Sequence, residues 1–592
     1  MDQIMSNKQA GLAQYNAIMI QKFKDKIYNG ELIIQNSIQL KNIEFLQNLK
    51  IHKLELIGCM HIIPNLKSST IKELKVANCC LKEINAILLE NLEIFDASYN
   101  SELKMQDIEM FKNLRQLDIS STNLVDISNL KLQLLSSLQL RNNKIKDIPS
   151  LSNLINLTEL DLSQNADIDI DPLQQMKQLR VLKLSKCNLQ SIQILELLTD
   201  LTEIDVSGNK NIDIQSLQYL VNLKKLNISR TNNNNIDVLQ SLKNLEELDI
   251  SYNEIDDINV FKYLVNLTKL NIFQNMVQNI DILLQLQHLK ELDISRNPQM
   301  DFKPLQKLGQ LHRLVLCGNN LINISFLNGL FNIKYLNLFN IEYLDITPLS
   351  CLVNLTTLDI SSCNIKDISS LQRLVNLEVL QISQNEINDI HHLQNLVKLT
   401  SLDISYNCIK DISILKQFKY LIHLYLSINK GVNITPLQYL TKLTKLMLNE
   451  CDLHEISALR PLVNLQYLTL SGNYIYYFYP IRDLDAIVYV HGNLIVESSD
   501  YFTFFKLQDK SQFIKQQPTK QQMQLARNMK MVDTTTQCIR DISTKRRNYL
   551  SSQQITVVTI VQLFEKQYNE FQTFINRVVQ LLTLLVGQEE YQ

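Results

Sequence analysis

Eight serines in this chain have the look of nucleophiles: Ser207, Ser229, Ser251, Ser295, Ser361, Ser383, Ser405 and Ser427. Acyl transfer by a serine needs a histidine base within hydrogen-bond reach and a third group to orient it. No histidine accompanies any of these serines in a motif, and no G-x-S-x-G surrounds them. They form a row of small residues at one repeated position. The ten cysteines are the other reactive set. A zinc site would show paired ligands such as C-x-x-C, and none occurs. The phosphate-cradling patterns G-x-x-x-x-G-K-[ST] and G-x-G-x-x-G are also missing. The sequence therefore offers no catalytic residues, no metal ligands and no cofactor site, and it reads as a non-enzyme.

What positions these residues is repetition. LEELDISYNEIDDINVFKYLVNL (245–267) is rewritten at once by LTKLNIFQNMVQNIDILLQLQHL. Aligned on the leucine of L-x-[LIV]-x-x-[NC], the spacing from Leu138 through Leu248 to Leu468 is 22 residues at every step. With slips of a residue or two it extends upstream through Leu117, Phe95, Leu74 and Leu54 to Leu32, and downstream to Val488, giving 22 units. Leu248 and Ile250 alternate with Glu247, Asp249 and Ser251, the period of a short strand with one buried face. Asn253 ends the strand, where its amide can satisfy turn backbone groups that would otherwise be buried unpaired. Ile255, Ile258, Phe261 and Leu264 return the chain and fill the interior. One unit cannot bury its own apolar face, so units must stack.

The Asn253 position is Asn in thirteen units and Cys in five, namely Cys59, Cys79, Cys187, Cys363 and Cys451. Small, buried, weakly donating thiols suit that place. Cys363 and Cys451 lie four units apart, roughly 20 Å at a strand spacing of about 4.8 Å, well beyond disulfide reach. Free thiols, and an N-terminus (MDQIMSNKQAGLAQYNAIMIQKF) without the pattern of a secretory signal, lead to an expected cytoplasmic location. In that setting the sequons at Asn156, Asn266 and Asn354 are by-products of a repeated N-L-T. Lys+Arg 58 against Asp+Glu 60 argues against nucleic acid held by bulk charge. No run reaches the ~18 apolar residues of a membrane span. The Ile, Leu, Asn and Gln bias resembles that of protist chains from AT-rich genomes.

LTTLDISSCNIKDISSLQRL (355–374) and LTSLDISYNCIKDISILKQF (399–418) carry a further likeness. They resemble the 22-residue class of leucine-rich repeats, which includes a regulatory subunit of type-1 protein phosphatase and the bacterial internalins. The resemblance implies a leucine-rich-repeat solenoid with parallel strands on its concave side and irregular or 3-10 structure on its convex side. It also implies a non-catalytic module that binds protein partners on the concave face, with a phosphatase regulatory subunit as the alternative. A rival of another class is an enzyme with its site in the tail, whose only cysteine is Cys538 and which lacks histidine after residue 500.

Partner information must sit at the outward positions of the strands. Acidic strands (Glu247 and Asp249, Glu291 and Asp293) alternate with strands carrying Lys269 or Arg313. Such a ladder either keeps like charges from stacking or forms a strip for a charged partner. Beyond Leu314 the same face holds Tyr335, Phe339, His423, Tyr425, Met447, Tyr467 and Tyr489, residue types that anchor interfaces unless they pack on one another or under the tail.

The ends read differently. Residues 1–30 are expected to form a helical cap with Ile18, Ile20, Phe23 and Ile27 as its stripe, ahead of a solenoid over 31–499. Residues 500–524 read as a linker and 525–592 as a helical tail. From Val557 to Leu585 nine apolar residues keep alternating spacings of 4 and 3, a coiled-coil seam. That seam supports self-association or packing on the solenoid.

Overall fold

The computed structural model describes residues 18–493, apart from 25, 36–44, 47–48, 60–65, 85–86, 105, 107, 322 and 476–477. The linker, the helical tail with its 557–585 seam, and residues 1–17 of the cap lie outside the described residues. The chain divides into two units, Met1–Ile387 with His391–Leu399, and Asn388–Ile390 with Thr400–Gln592.

In the first unit seventeen strands run from Glu31–Gln35 to Val379–Gln381. Each pairs in parallel with the next, and the aligned apolar residues face one another: Leu226 lies opposite Ile204 on one side and Leu248 on the other. The second unit repeats the arrangement with five strands, from Ser401–Asp403 to Ile487–Tyr489. Most strands are three residues long with a buried centre, as the sequence alternation requires. The expected 22 units each supply one strand, and each unit of the structure is a repeat solenoid.

The return path is a short 3-10 helix in most repeats. Its third residue is buried: Leu239, Phe261 and Leu283 in three successive repeats. Proline enters where a first-turn N–H would go unpaired anyway, as at Pro172, Pro304 and Pro436. The acid or amide ahead of the helix accepts an N–H: Asp257 Oδ1 from Asn259 at 2.8 Å, and Asp411 Oδ1 from Ser413 at 2.8 Å. The core is a column of leucine and isoleucine with almost no exposure, each side chain stabilising by roughly 1.5–3 kcal/mol.

Between strand and return path the chain turns sharply. The residue before the ladder position is left-handed in repeat after repeat, for example Arg230 (φ 57°), Tyr252 (φ 60°), Arg296 (φ 52°) and Ile428 (φ 60°). The next residue closes the turn. Asn253 Nδ2 donates to the carbonyls of Ile250 (3.0 Å) and of Ile228 in the preceding repeat (2.8 Å). In the cysteine repeats Cys187 and Cys363 donate Sγ to the equivalent carbonyls, Leu162 at 3.3 Å and Leu338 at 3.2 Å. Thr122 and Thr231 fill the same position, with hydroxyls that donate to Ile119 (2.8 Å) and Ile228 (2.8 Å). The described cysteines are all free.

A second amide row precedes many of the strands. Asn156, Asn266 and Asn354, the sequon asparagines, donate Nδ2 to Gln133 (2.8 Å), Lys243 (2.9 Å) and Phe331 (2.8 Å). The described part of the N-terminal cap is a helix over 18–24. Phe23, a member of the expected stripe, is buried and stacks on Phe45 at 5.6 Å, with Met19 beside it on the inner face and Ile20 and Ile27 half-buried. Ile18 is 60% exposed because residues 19 and 23, four apart, take the side that faces the repeats. No helix of the described residues is long and apolar enough to cross a membrane.

Candidate partner-binding face

In the first unit the outward strand positions form charge pairs in register. Lys225 meets Glu247 at 2.8 Å and Lys269 meets Glu291 at 3.8 Å, each lysine choosing the glutamate of the following strand. Lys183 does the same with Glu203 at 3.4 Å. The ladder starts earlier than the sequence reading had it: Lys53 lies 3.3 Å from Glu73 and 3.4 Å from Glu55. These pairs are half-exposed, so each contributes a fraction of a kcal/mol, about what exposed ion pairs give.

Asp249 and Asp293 sit in this strip but are used by the fold. Their Oδ1 atoms accept the backbone N–H of Ser251 (2.9 Å) and Ser295 (3.0 Å). Asn271 Nδ2 also donates to Asp249 Oδ2 at 2.9 Å. Burial pushes the Asp293 carboxyl above the usual carboxylate range, against the pull of the Ser295 hydrogen bonds. The serine row is explained by the same turn, since Ser251 Oγ donates to Asp249 at 2.7 Å.

Arg313 breaks the pattern. Its guanidinium lies over the ring of Tyr335 on the next strand, 3.5 Å from the centroid. Phe339, two residues past that strand, is 42% exposed. Past the ends of four earlier strands, Arg230 lies 3.6 Å over Tyr252, which tilts against Phe273 at 4.9 Å, and Arg296 lies 5.6 Å over the Phe273 ring. The left-handed residues Arg230, Tyr252 and Arg296 build this stack with Phe273, a consequence the sequence alternation did not reveal.

The second unit has a different face. Its outward residues on four adjacent strands are His423 and Tyr425, Lys445 and Met447, Tyr467 and Thr469, Ile487 and Tyr489. Lys445 stands between two rings, 5.2 Å from Tyr425 and 5.3 Å from Tyr467. Tyr467 and Tyr489 lie 5.4 Å apart, and burial raises the Tyr467 phenol above its ordinary value. These side chains are half-buried rather than fully exposed, because they lean on one another. Lys445 was missed in the sequence, although it holds the same repeat position as Lys225 and Lys269. Thr469, only 5% exposed, lies in register between Met447 and Tyr489, and its Oγ1 has no hydrogen-bond partner.

Family comparisons agree with the ladder and the stacking. A family model described as leucine rich repeat matches residues 353–409. A two-copy leucine rich repeat model matches 133–175, and another leucine rich repeat model matches 241–258. A leucine-rich-repeat protein of Leptospira interrogans has a similar structure, with 24% identity and a TM-score of 0.51, covering 60% of this chain and 97% of its own. The fold is that of a leucine-rich-repeat solenoid. The functional domain of InlJ from Listeria monocytogenes, which includes a cysteine ladder, aligns at 22% identity over 64% of this leucine-rich-repeat chain and 72% of its own, with a TM-score of 0.39. A plant peptide hormone receptor, RGFR1 in complex with RGF2, aligns at 16% identity over 77% and 85%, with a TM-score of 0.40. Curated proteins give no match.

Proposed function

We propose that this leucine-rich-repeat protein is a non-catalytic scaffold whose protein partner binds the strand face of residues 423–489. One observation carries the reading. Where first-unit strands between Val181 and Asp293 pair lysine with glutamate across outward positions, the second unit places three tyrosines and Met447 on four adjacent strands. Paired charges satisfy one another; half-exposed aromatic rings and methionine gain most when a partner removes them from water. The strands hold these rings at fixed spacing, so little side-chain freedom is lost on binding.

The test is affinity purification from the native cell with the full chain and with Tyr425→Ala/Tyr467→Ala. The expected result is a co-purifying protein that the variant loses and that Glu247→Ala/Glu291→Ala retains. Equal recovery on both variants would move the site elsewhere. Regulation of a phosphatase is this same reading with a phosphatase as the retained protein, and the identity of that protein decides it. The cytoplasmic placement belongs to this proposal, with fractionation of the native cell as its check.

Self-association is a second part of the proposal, motivated by the 4,3 seam of Val557–Leu585 in the sequence. Sedimentation at micromolar concentration should show the full chain as a dimer and a chain ending at Thr556 as a monomer. Two monomers would remove self-association from the account.

A further inference from the structure

The face that carries the proposed function also has a sign. The eight outward residues from His423 to Tyr489 include a lysine and a histidine and no carboxylate. In the first unit the equivalent lysines are neutralised, Lys225 by Glu247 at 2.8 Å and Lys183 by Glu203 at 3.4 Å. Lys445 has aromatic rings where those lysines have glutamates. The rings of Tyr425 and Tyr467 hold the ammonium in place without cancelling its charge. Acidic groups flank these eight positions. Asp403, on the strand beside Tyr425, accepts the Ser405 N–H at 2.9 Å, and Glu450 lies past the end of the Lys445 strand.

Thr469 adds an independent observation that points to a ligand. A hydroxyl that is almost fully buried normally has a partner, and leaving one unpaired is unfavourable. Thr469 Oγ1 has none, and it lies between Met447 and Tyr489 in the middle of the aromatic group. A hydroxyl there can donate to a carbonyl or carboxylate brought by a partner. The phenols of Tyr425, Tyr467 and Tyr489 supply further donors around it.

We propose that the 423–489 face receives an acidic, extended peptide segment of the partner. Its carboxylates would lie against Lys445 and His423, and its main chain and apolar side chains against Tyr425, Tyr467, Tyr489 and Thr469. This rests on the proposed function and adds the chemistry of the partner to it. A charge held by rings rather than by a carboxylate is complementary to an anion, and a face of fixed rings suits a thin segment.

The test uses the full chain and three fluorescent pools of 12-residue peptides. Each pool has a fixed central leucine–phenylalanine pair, and the flanks are randomised over Asp/Glu/Ser, over Gln/Ser, or over Lys/Arg/Ser. A labelled 12-nucleotide oligo-uridylate forms the fourth arm. The acidic pool should be retained at least about tenfold better than the basic pool. That preference should weaken with added salt and with Lys445→Gln, which keeps most of the side chain, and retention should be lost with Tyr425→Ala/Tyr467→Ala. Thermal melting of each variant establishes that it is folded. Tyrosine-dependent retention of the neutral or basic pool would overturn the acidic assignment while leaving the site reading intact. Retention of oligo-uridylate over every peptide would overturn the peptide assignment. No tyrosine-dependent retention of any pool would also overturn it, and the co-purification experiment then judges the site reading on its own.

Discussion

Asn253 Oδ1 accepts the backbone N–H of Thr231 at 2.9 Å, the residue one repeat earlier in the same ladder. The same amide donates to Ile228 and Ile250, so one side chain satisfies buried polar groups on two repeats. Asn253→Ala would strand these groups at about 1–3 kcal/mol each, and the loss should reach roughly 3 kcal/mol in urea denaturation. Asn253→Cys should lose less, since the five ladder cysteines show a thiol making the inter-repeat bond. Equal losses for the two variants would mean that side-chain volume, not hydrogen bonding, sets the cost.

Asp293 predicts a substitution that removes a charge without loss. Its Oδ1 closes a turn on the Ser295 N–H, and Asn227 Oδ1 does the same for Ser229 at 3.0 Å. Burial raises the folded-state pKa of Asp293, as it does for Asp118 and Asp205. A carboxyl raised on folding favours the folded state below its unfolded pKa of about 3.9, and that advantage is lost as pH rises through the folded value. At pH 7 the charge is therefore a net penalty. Asp293→Asn should be as stable as the wild type or more so at pH 7, and any gain should vanish as pH falls below the carboxylate range. Asp293→Ala should lose about 1 kcal/mol with the turn bond. Melting curves at pH 7 and pH 3.5 check the sign.

Ile428 occupies a left-handed turn position (φ 60°) where other repeats use Gly208, Gly318 or Asn340. A β-branched side chain is disfavoured there, by roughly 1–2 kcal/mol. Ile428→Asn should raise stability by about 1 kcal/mol in urea denaturation. A loss instead would show that packing of the half-buried Ile428 side chain outweighs the backbone strain.

The alternation around Leu248 and Ile250 and the 22-residue spacing made strands, register and stacking legible, because a repeated unit has one way to bury its apolar side. The Asn and Cys rows were legible for the same reason. Thr122 and Thr231 were not, because a consensus written as Asn or Cys hides a hydroxyl that makes an equivalent bond. The turn role of Asp249 was hidden because an acid at an outward position reads as surface charge until its neighbour's N–H is located. Tyr425 and Tyr467 were legible as outward aromatics. The place of Lys445 between them was not, since it depends on the register of three strands and on where a long side chain lies. The N-terminal stripe failed at Ile18 because Met19 and Phe23, four apart, take the buried side of the described turns.

The central claim is that the 423–489 face holds the partner. Its most direct measurement is the affinity of the co-purified protein for the full wild-type chain and for folded Tyr425→Ala/Tyr467→Ala, by titration in solution. Removing well-packed aromatic anchors typically costs about 2 kcal/mol or more. The account predicts binding weakened at least ~30-fold with an unchanged melting temperature. Equal affinity for the two chains would contradict it.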